Sequence, residues 1–415
     1  MHRKTFPFVL LFVACSWLCA SVNGQDVEDP LIQIGSPMSL YSEILQEERP
    51  FWIHLPEGYA DTPDAAYPVV YLLDGKQHLG GLAAIQEYYS FFRLPEMIVV
   101  AISNDDNRTR DLTPTRVASR NGAPVESSGG SAAFRSFLGE ELIPHIDATF
   151  ATSPHRVLIG HSFGGLFAID TLLEEGDLFT NYVALDPSLD WDEGHWLEES
   201  IAELVELDFD GHGLYVAISN EIIRFSDTLT IETVTSDSSP FSLGIRSAVR
   251  FVEAQEGAEN GLNFRWKFYE KDIHGSIPLA GMMDGLVYLY DFWELKRPSL
   301  YNDPDTPVET ILALIQDQSM AREKGMGYPL PMERDLLEML GMFYADIGQA
   351  EKAKGVLSLA SSYHPETASL HEALVEVCLG LEDEACAREH SAKADALNGT
   401  STQRDRVDSI FGPSK

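Results

Sequence analysis

Between residues 31 and 56 apolar and polar side chains alternate, as in Met38-Ser39-Leu40-Tyr41 and Phe51-Trp52-Ile53-His54-Leu55. A period of two marks half-buried strands, so this stretch predicts an antiparallel lead-in. The pattern then thickens into short apolar runs at residues 68–73, 97–102, 157–159, 182–185 and 214–218. Runs of that length without alternation predict strands buried on both faces, as in a mostly parallel sheet covered by helices. One covering helix is expected where Phe134, Leu138, Leu142 and Ile146 recur every fourth position. The last strand is expected at residues 264–269, with a long apolar helix behind it at 277–293.

Near Arg297-Pro298 and along residues 302–307 the composition turns to Pro, Asp and Asn, the signature of a linker. Helical periodicity follows. Leu337, Leu340, Gly341, Tyr344, Ala353, Leu357, Ala360 and Pro365 stand at the spacings of a tetratricopeptide repeat. Leu374, Ala387 and Ala394 repeat Leu340, Ala353 and Ala360 at an offset of 34, which predicts a degenerate second copy. The expected plan is a signal peptide at 1–24, an α/β domain at 25–298, a linker at 299–330, a helical repeat domain at 331–398 and a flexible tail at 399–415. The repeats offer a surface for a protein partner.

Length and charge narrow the function. A chain of 415 residues exceeds one ordinary core. A net charge of −36 repels a phosphate backbone, so nucleic-acid binding is not expected. Arg3 and Lys4 precede an apolar core over residues 6–20, the layout of a secretory signal, and the apolar stretch is short for a membrane span. The reading is therefore a secreted or periplasmic protein with no integral span after cleavage. Cys15 and Cys19 would leave with the signal; Cys378 and Cys386 remain, to pair or to stay free.

Candidate chemistry centres on Gly160-His161-Ser162-Phe163-Gly164, which lies between an apolar run and the helix-like residues 166–173. A G-x-S-x-G turn between strand and helix is a nucleophile elbow, with the serine at the apex of a strained turn. A serine hydroxyl needs a base to take its proton and a third group to orient that base. Between Gly213 and Tyr363 the chain holds one histidine, His274, in a loop after the last predicted strand. The expected acid is Glu221, just past the strand at 214–218, with Asp227, Asp272 or a serine–histidine dyad as alternatives. Two backbone amides should receive the oxyanion: Phe163, directly after the nucleophile, and Lys76, after the Asp74-Gly75 turn. Asp186, Ser188 and Trp191 follow a strand at the same edge and are expected to line an acyl or alcohol pocket. His161 reads as a strand-end packing residue and not as a second base. The sequence shows no metal-ligand spacing, and the chemistry calls for no cofactor.

These residues carry a resemblance. Residues 55–59 (Leu-Pro-Glu-Gly-Tyr), residues 67–75, Arg110-Asp111-Leu112-Thr113-Pro114, the elbow, and Asp186-Pro187-Ser188-Leu189 with Trp191 resemble the putative-esterase family of α/β-hydrolases. That family includes esterase D, siderophore esterases, feruloyl esterases and the mycobacterial mycolyltransferases. The resemblance covers about residues 30–295. It implies Ser162 as nucleophile, His274 as base, a donor amide at Lys76 and an acid near Glu221; the helical extension lies outside the core family. The function implied is an exported serine esterase acting on siderophore lactones, feruloyl or acetyl polysaccharide esters, or simple acyl esters. An acyltransferase with the same triad, or an inert hydrolase fold that recruits a partner through its repeats, are the competing readings.

Overall fold

The computed structural model describes residues 34–61, 65–90, 92–120 and 122–413. The expected signal peptide lies outside them. Residues 34–415 belong to one compact unit.

Among the described residues ten strands form: β1 (Ser36–Ser42), β2 (Glu47–His54), β3 (Tyr67–Leu72), β4 (Ile98–Ile102), β5 (Ser119–Arg120), β6 (Ala123–Pro124), β7 (Thr152–His161), β8 (Asn181–Leu185), β9 (Gly213–Ser219) and β10 (Asn263–Tyr269). Strands β5 and β6 make a small separate hairpin. The other eight form one sheet in the order β1-β2-β4-β3-β7-β8-β9-β10. Pairing is antiparallel at β1–β2 and β2–β4 and parallel from β4 to β10. That is the mostly parallel sheet the hydropathy pattern anticipates, and the α/β-hydrolase arrangement the resemblance implies.

The helices of this region are α1 (Gly75–Tyr89), α2 (Arg108–Asp111), α3 (Ser131–Ser136), α4 (Ile143–Thr149), α5 (Phe163–Glu175), α6 (His195–Glu206), α7 (Leu243–Glu256) and α8 (Ile277–Leu289). A π-helical turn at Phe137–Leu142 joins α3 to α4. Successive strand side chains point to opposite faces, and each face has its own core. Val69, Tyr71, Val100 and Leu158 face a core completed by α3 to α7. Val70, Leu72, Val99 and Val157 face a second core with α1 and α8. Every residue of β3, β4, β8 and β9 is buried, which is why these runs carry no alternation.

From residue 298 the chain is helical: α9 (Pro298–Asn302), α10 (Val308–Met326), α11 (Arg334–Asp346), α12 (Ala350–Tyr363), α13 (Ala368–Gly380), α14 (Glu384–Asn398) and α15 (Thr402–Phe411). Residues 299–330, expected as a linker, instead hold most of α9 and all of α10. Ile311 and Ile315 pack into the helical core, and Met326 enters the core beneath α8. His155 of β7 donates from Nδ1 to the Met326 carbonyl (3.3 Å) and accepts from Asn181 at Nε2 (3.1 Å). Burial presses that imidazole down to about 4, so it stays neutral at the seam. Arg322 stacks on Trp293 and donates to its carbonyl from Nε (2.9 Å) and Nη2 (2.6 Å). The helices are therefore bolted to the sheet domain.

The offset-34 positions Ala353, Ala387, Ala360 and Ala394 are all fully buried. At Gly341 even a Cβ would come within 2.5 Å of Leu357, so small residues set the approach of α11 and α12. Cys378 and Cys386 form a disulfide between α13 and α14. The tail expected to be loose contains α15. Its first turn is capped by Asp395, which accepts from the amides of Gln403 (3.0 Å) and Arg404 (2.8 Å), and Val407 is buried beneath it.

Candidate active site

Strand β7 ends at His161, and α5 begins at Phe163. Ser162 between them holds φ 61°, ψ −115°, a strained conformation for a residue with a Cβ. Gly160 makes the turn feasible: a Cβ there would lie 2.1 Å from the Gly164 carbonyl oxygen. Three main-chain bonds fix the apex. The Ser162 amide donates to Leu185 (2.9 Å), and its carbonyl accepts from Leu166 (3.0 Å) and Ser188 (3.1 Å).

The amide of Phe163 opens helix α5, and among the described residues it has no hydrogen-bond partner. The amide of Lys76, in the first turn of α1, is likewise unpaired among them. Both sit at helix N-termini, where dipoles favour negative charge. The two turns pack together, because a Cβ on Gly164 would be 3.5 Å from Leu73 and 3.7 Å from Asp74 Oδ2. Arg108 ties them: its Nε and Nη2 each donate to Asp74 at 2.8 Å, and Nη2 also reaches the His161 carbonyl at 3.1 Å. Phe163 lines the cavity at the serine, whereas Lys76 does not and turns its ammonium to Asp105 (3.3 Å).

His274 lies in the loop between β10 and α8, as expected. The carboxylate on its ring is not the expected one. Nδ1 lies 2.5 Å from Asp186 Oδ2, while Glu221 accepts from the His274 main-chain amide (2.8 Å) and pairs with Arg224 (2.9 Å). The assignment of Glu221 to the imidazole is thus corrected. Asp186 directly follows β8, the strand between the serine's strand and β9, with a φ of 44°. The same carboxylate accepts from the Ser219 amide (2.9 Å) and hydroxyl (2.7 Å). Burial works to raise the Asp186 carboxyl, but the bonds from His274 and Ser219 outweigh it and hold the group below its ordinary range, hence ionised. Asp272 is occupied by Ser276 within its own loop (2.8 Å), and Asp227 does not line the cavity.

The strand-edge position and the serine–acid–histidine chain order were the signals that could have placed Asp186 on the ring. Of the other expected pocket residues, Ser188 touches the nucleophile: its Oγ is 3.2 Å from Ser162 Oγ, the partner of that hydroxyl among the described residues. Trp191 does not line the pocket. It is fully buried, donates from Nε1 to Thr115 Oγ1 (3.0 Å), and supports Phe163 edge-to-face.

Ser162, Phe163, Asp186, Ser188 and His274 share one cavity of about 670 Å³. Its lining also includes Arg120, Arg224, Phe241 and Ile245. Both guanidiniums are paired, Arg120 with Asp190 (2.8 Å) and Arg224 with Glu221. Among the described residues no group of three or more His, Cys, Asp or Glu side chains could hold a metal ion. Nor is any helix of these residues long and apolar enough to cross a membrane.

The family described as putative esterase matches residues 42–215. The chain is 29% identical over 172 residues to the ferri-bacillibactin esterase BesA of Bacillus subtilis, and 29% identical over 149 residues to the apo-salmochelin esterase of Escherichia coli O6:H1. These alignments cover 37% and 33% of this chain, and they span 59% and 46% of those relatives. Among solved structures, an IroE-like serine hydrolase from Shewanella oneidensis superposes with a TM-score of 0.66 at 29% identity, covering 79% of this chain and 99% of that one.

Proposed function

Because residues 42–215 belong to the putative esterase family, we propose that the chain is a serine esterase whose triad is Ser162, His274 and Asp186. The observation that carries this reading is the 2.5 Å contact between Asp186 and the His274 ring, at a cavity that also holds the strained serine. The Ser162 hydroxyl rests on Ser188 Oγ at 3.2 Å, and catalytic hydrogen bonds to a nucleophile commonly tighten only once substrate is bound.

In this mechanism Ser162 Oγ attacks the ester carbonyl carbon while its proton passes to His274 Nε2. The carbonyl π electrons move onto oxygen, and the amides of Phe163 and Lys76 donate hydrogen bonds to that oxyanion, each worth about 3–4 kcal/mol. Collapse of the tetrahedral species expels the alcohol, which takes the proton from His274 and leaves an acyl-Ser162. Water, deprotonated by the same imidazole, then attacks the acyl carbon; the bond to Ser162 Oγ breaks, the imidazolium returns its proton to that oxygen, and the acid leaves. Asp186 stays ionised throughout, fixes the tautomer with Nδ1–H and stabilises the imidazolium.

Siderophore lactones are the proposed substrates, on the strength of the two esterase relatives, and residues 1–24 are proposed to direct export. The paired helices with their buried alanines are proposed as a tetratricopeptide-like platform for a protein partner. The direct test is a fluorophosphonate probe followed by intact mass, alongside p-nitrophenyl esters and catecholate-lactone substrates. One adduct on the wild type and none on Ser162→Ala, with hydrolysis lowered at least about 1,000-fold, is expected. A folded wild type that stays unlabelled, or a Ser162→Ala variant with full turnover, would refute the reading.

A further inference from the structure

The residue before the nucleophile makes a contact that the triad does not explain. His161 Nε2 lies 2.8 Å from the main-chain oxygen of His274, and the two rings meet at a tilt of 39° with centroids 4.5 Å apart. A carbonyl only accepts, so Nε2 carries the proton and donates it. His161 is itself immobilised. It ends β7 in register with Leu185, its carbonyl accepts from Arg108, and the His78 ring meets it edge-on at 5.5 Å. Burial, then the neighbouring histidines His274 and His78, press its imidazole down to about 4, so it works as a neutral donor and not as a second base. On the other side, Glu221 holds the His274 amide. Both main-chain polar groups of His274 are thus tied to the rim, independently of the Asp186 bond to its ring.

We infer that His161 is a positioning residue: through the His274 carbonyl it fixes the loop that carries the general base relative to the serine one residue away. This inference rests on the triad proposed above. A displaced base lowers turnover without weakening substrate binding, and a misplacement near 1 Å can cost about 100-fold.

The test compares His161→Gln, whose amide nitrogen can occupy the Nε2 position, with His161→Phe, which keeps a ring without a donor, and His161→Asn, whose amide is too short. Steady-state kcat and KM on a p-nitrophenyl ester are read together with thermal melting. For His161→Phe and His161→Asn, kcat is expected to fall roughly 10- to 100-fold with KM within about twofold, and His161→Gln is expected to recover most of the loss. Should His161→Phe fail to fold, the Gln and Asn variants decide between themselves. Equal activity of His161→Gln and His161→Asn, or a His161→Phe enzyme with unchanged kcat, would overturn the inference. Full hydrolysis by Ser162→Ala would instead overturn the triad on which it rests.

Discussion

At the C-terminal edge of the sheet three neighbouring strands, β3, β7 and β8, are followed at once or within two residues by side chains held in left-handed backbone: Asp74 at φ 52°, Ser162 at 61° and Asp186 at 44°. In the helical region from residue 298 onward, among the described residues, the non-glycine with positive φ is Glu382, in the turn between α13 and α14. Yet both regions are well packed, with buried apolar cores of their own. Strain of this kind costs on the order of 1–3 kcal/mol per residue and persists only where surrounding structure enforces it. Here three such residues stand on adjacent strand ends, two of them the proposed nucleophile and acid, while Gln46, Asp192 and Glu193 lie elsewhere in the α/β region. The helices are built from ordinary turns, alanine contacts and caps.

That contrast makes unequal demands on mutation. Arg108 braces the rim by holding the buried Asp74 carboxylate and the His161 carbonyl together. Arg108→Ala is expected to lower stability by roughly 2–4 kcal/mol, because it strands a buried charge, and to lower kcat as well. Denaturant melts beside ester hydrolysis check this; an unchanged midpoint with unchanged turnover would mean that the rim needs no brace. The helical counterpart is Val407 of α15. Val407→Ala should cost about 1–2 kcal/mol in the same melts and leave kcat/KM alone. A turnover loss there would show the two regions to be coupled in catalysis.

Much of the α/β domain could be read from the chain because burial on both sheet faces writes itself as short unbroken apolar runs. Ser162 and His274, the proposed nucleophile and base, stand out in the chain for related reasons: one sits in a glycine-bounded strand-to-helix turn, and the other is the one histidine between residues 213 and 363. The acid does not. Asp186 and Glu221 both follow strands at the same edge, and which of them meets the imidazole depends on the backbone at Asp186 and on the Ser219 donors, neither of which has a sequence signature. Trp191 misled because an aromatic beside a polar turn suits a pocket wall as well as a buried support. Helix α10 was mistaken for a linker because the Asn, Asp and Pro of residues 302–307 mark a real break, but one that ends where Ile311 and Ile315 resume helical spacing. For α15, one buried valine among charged residues gives too little periodicity to register.

The central claim is that Asp186, and not Glu221, orients the base. Steady-state kinetics of Asp186→Asn and Glu221→Gln on one ester test it most directly. Asparagine in place of the carboxylate should stabilise the wrong imidazole tautomer and lower kcat on the order of 1,000-fold or more. Glu221→Gln keeps an oxygen acceptor for the His274 amide and should stay within about fivefold of wild type. A Glu221→Gln enzyme as impaired as Asp186→Asn, or an Asp186→Asn enzyme with near-normal turnover, would contradict the account.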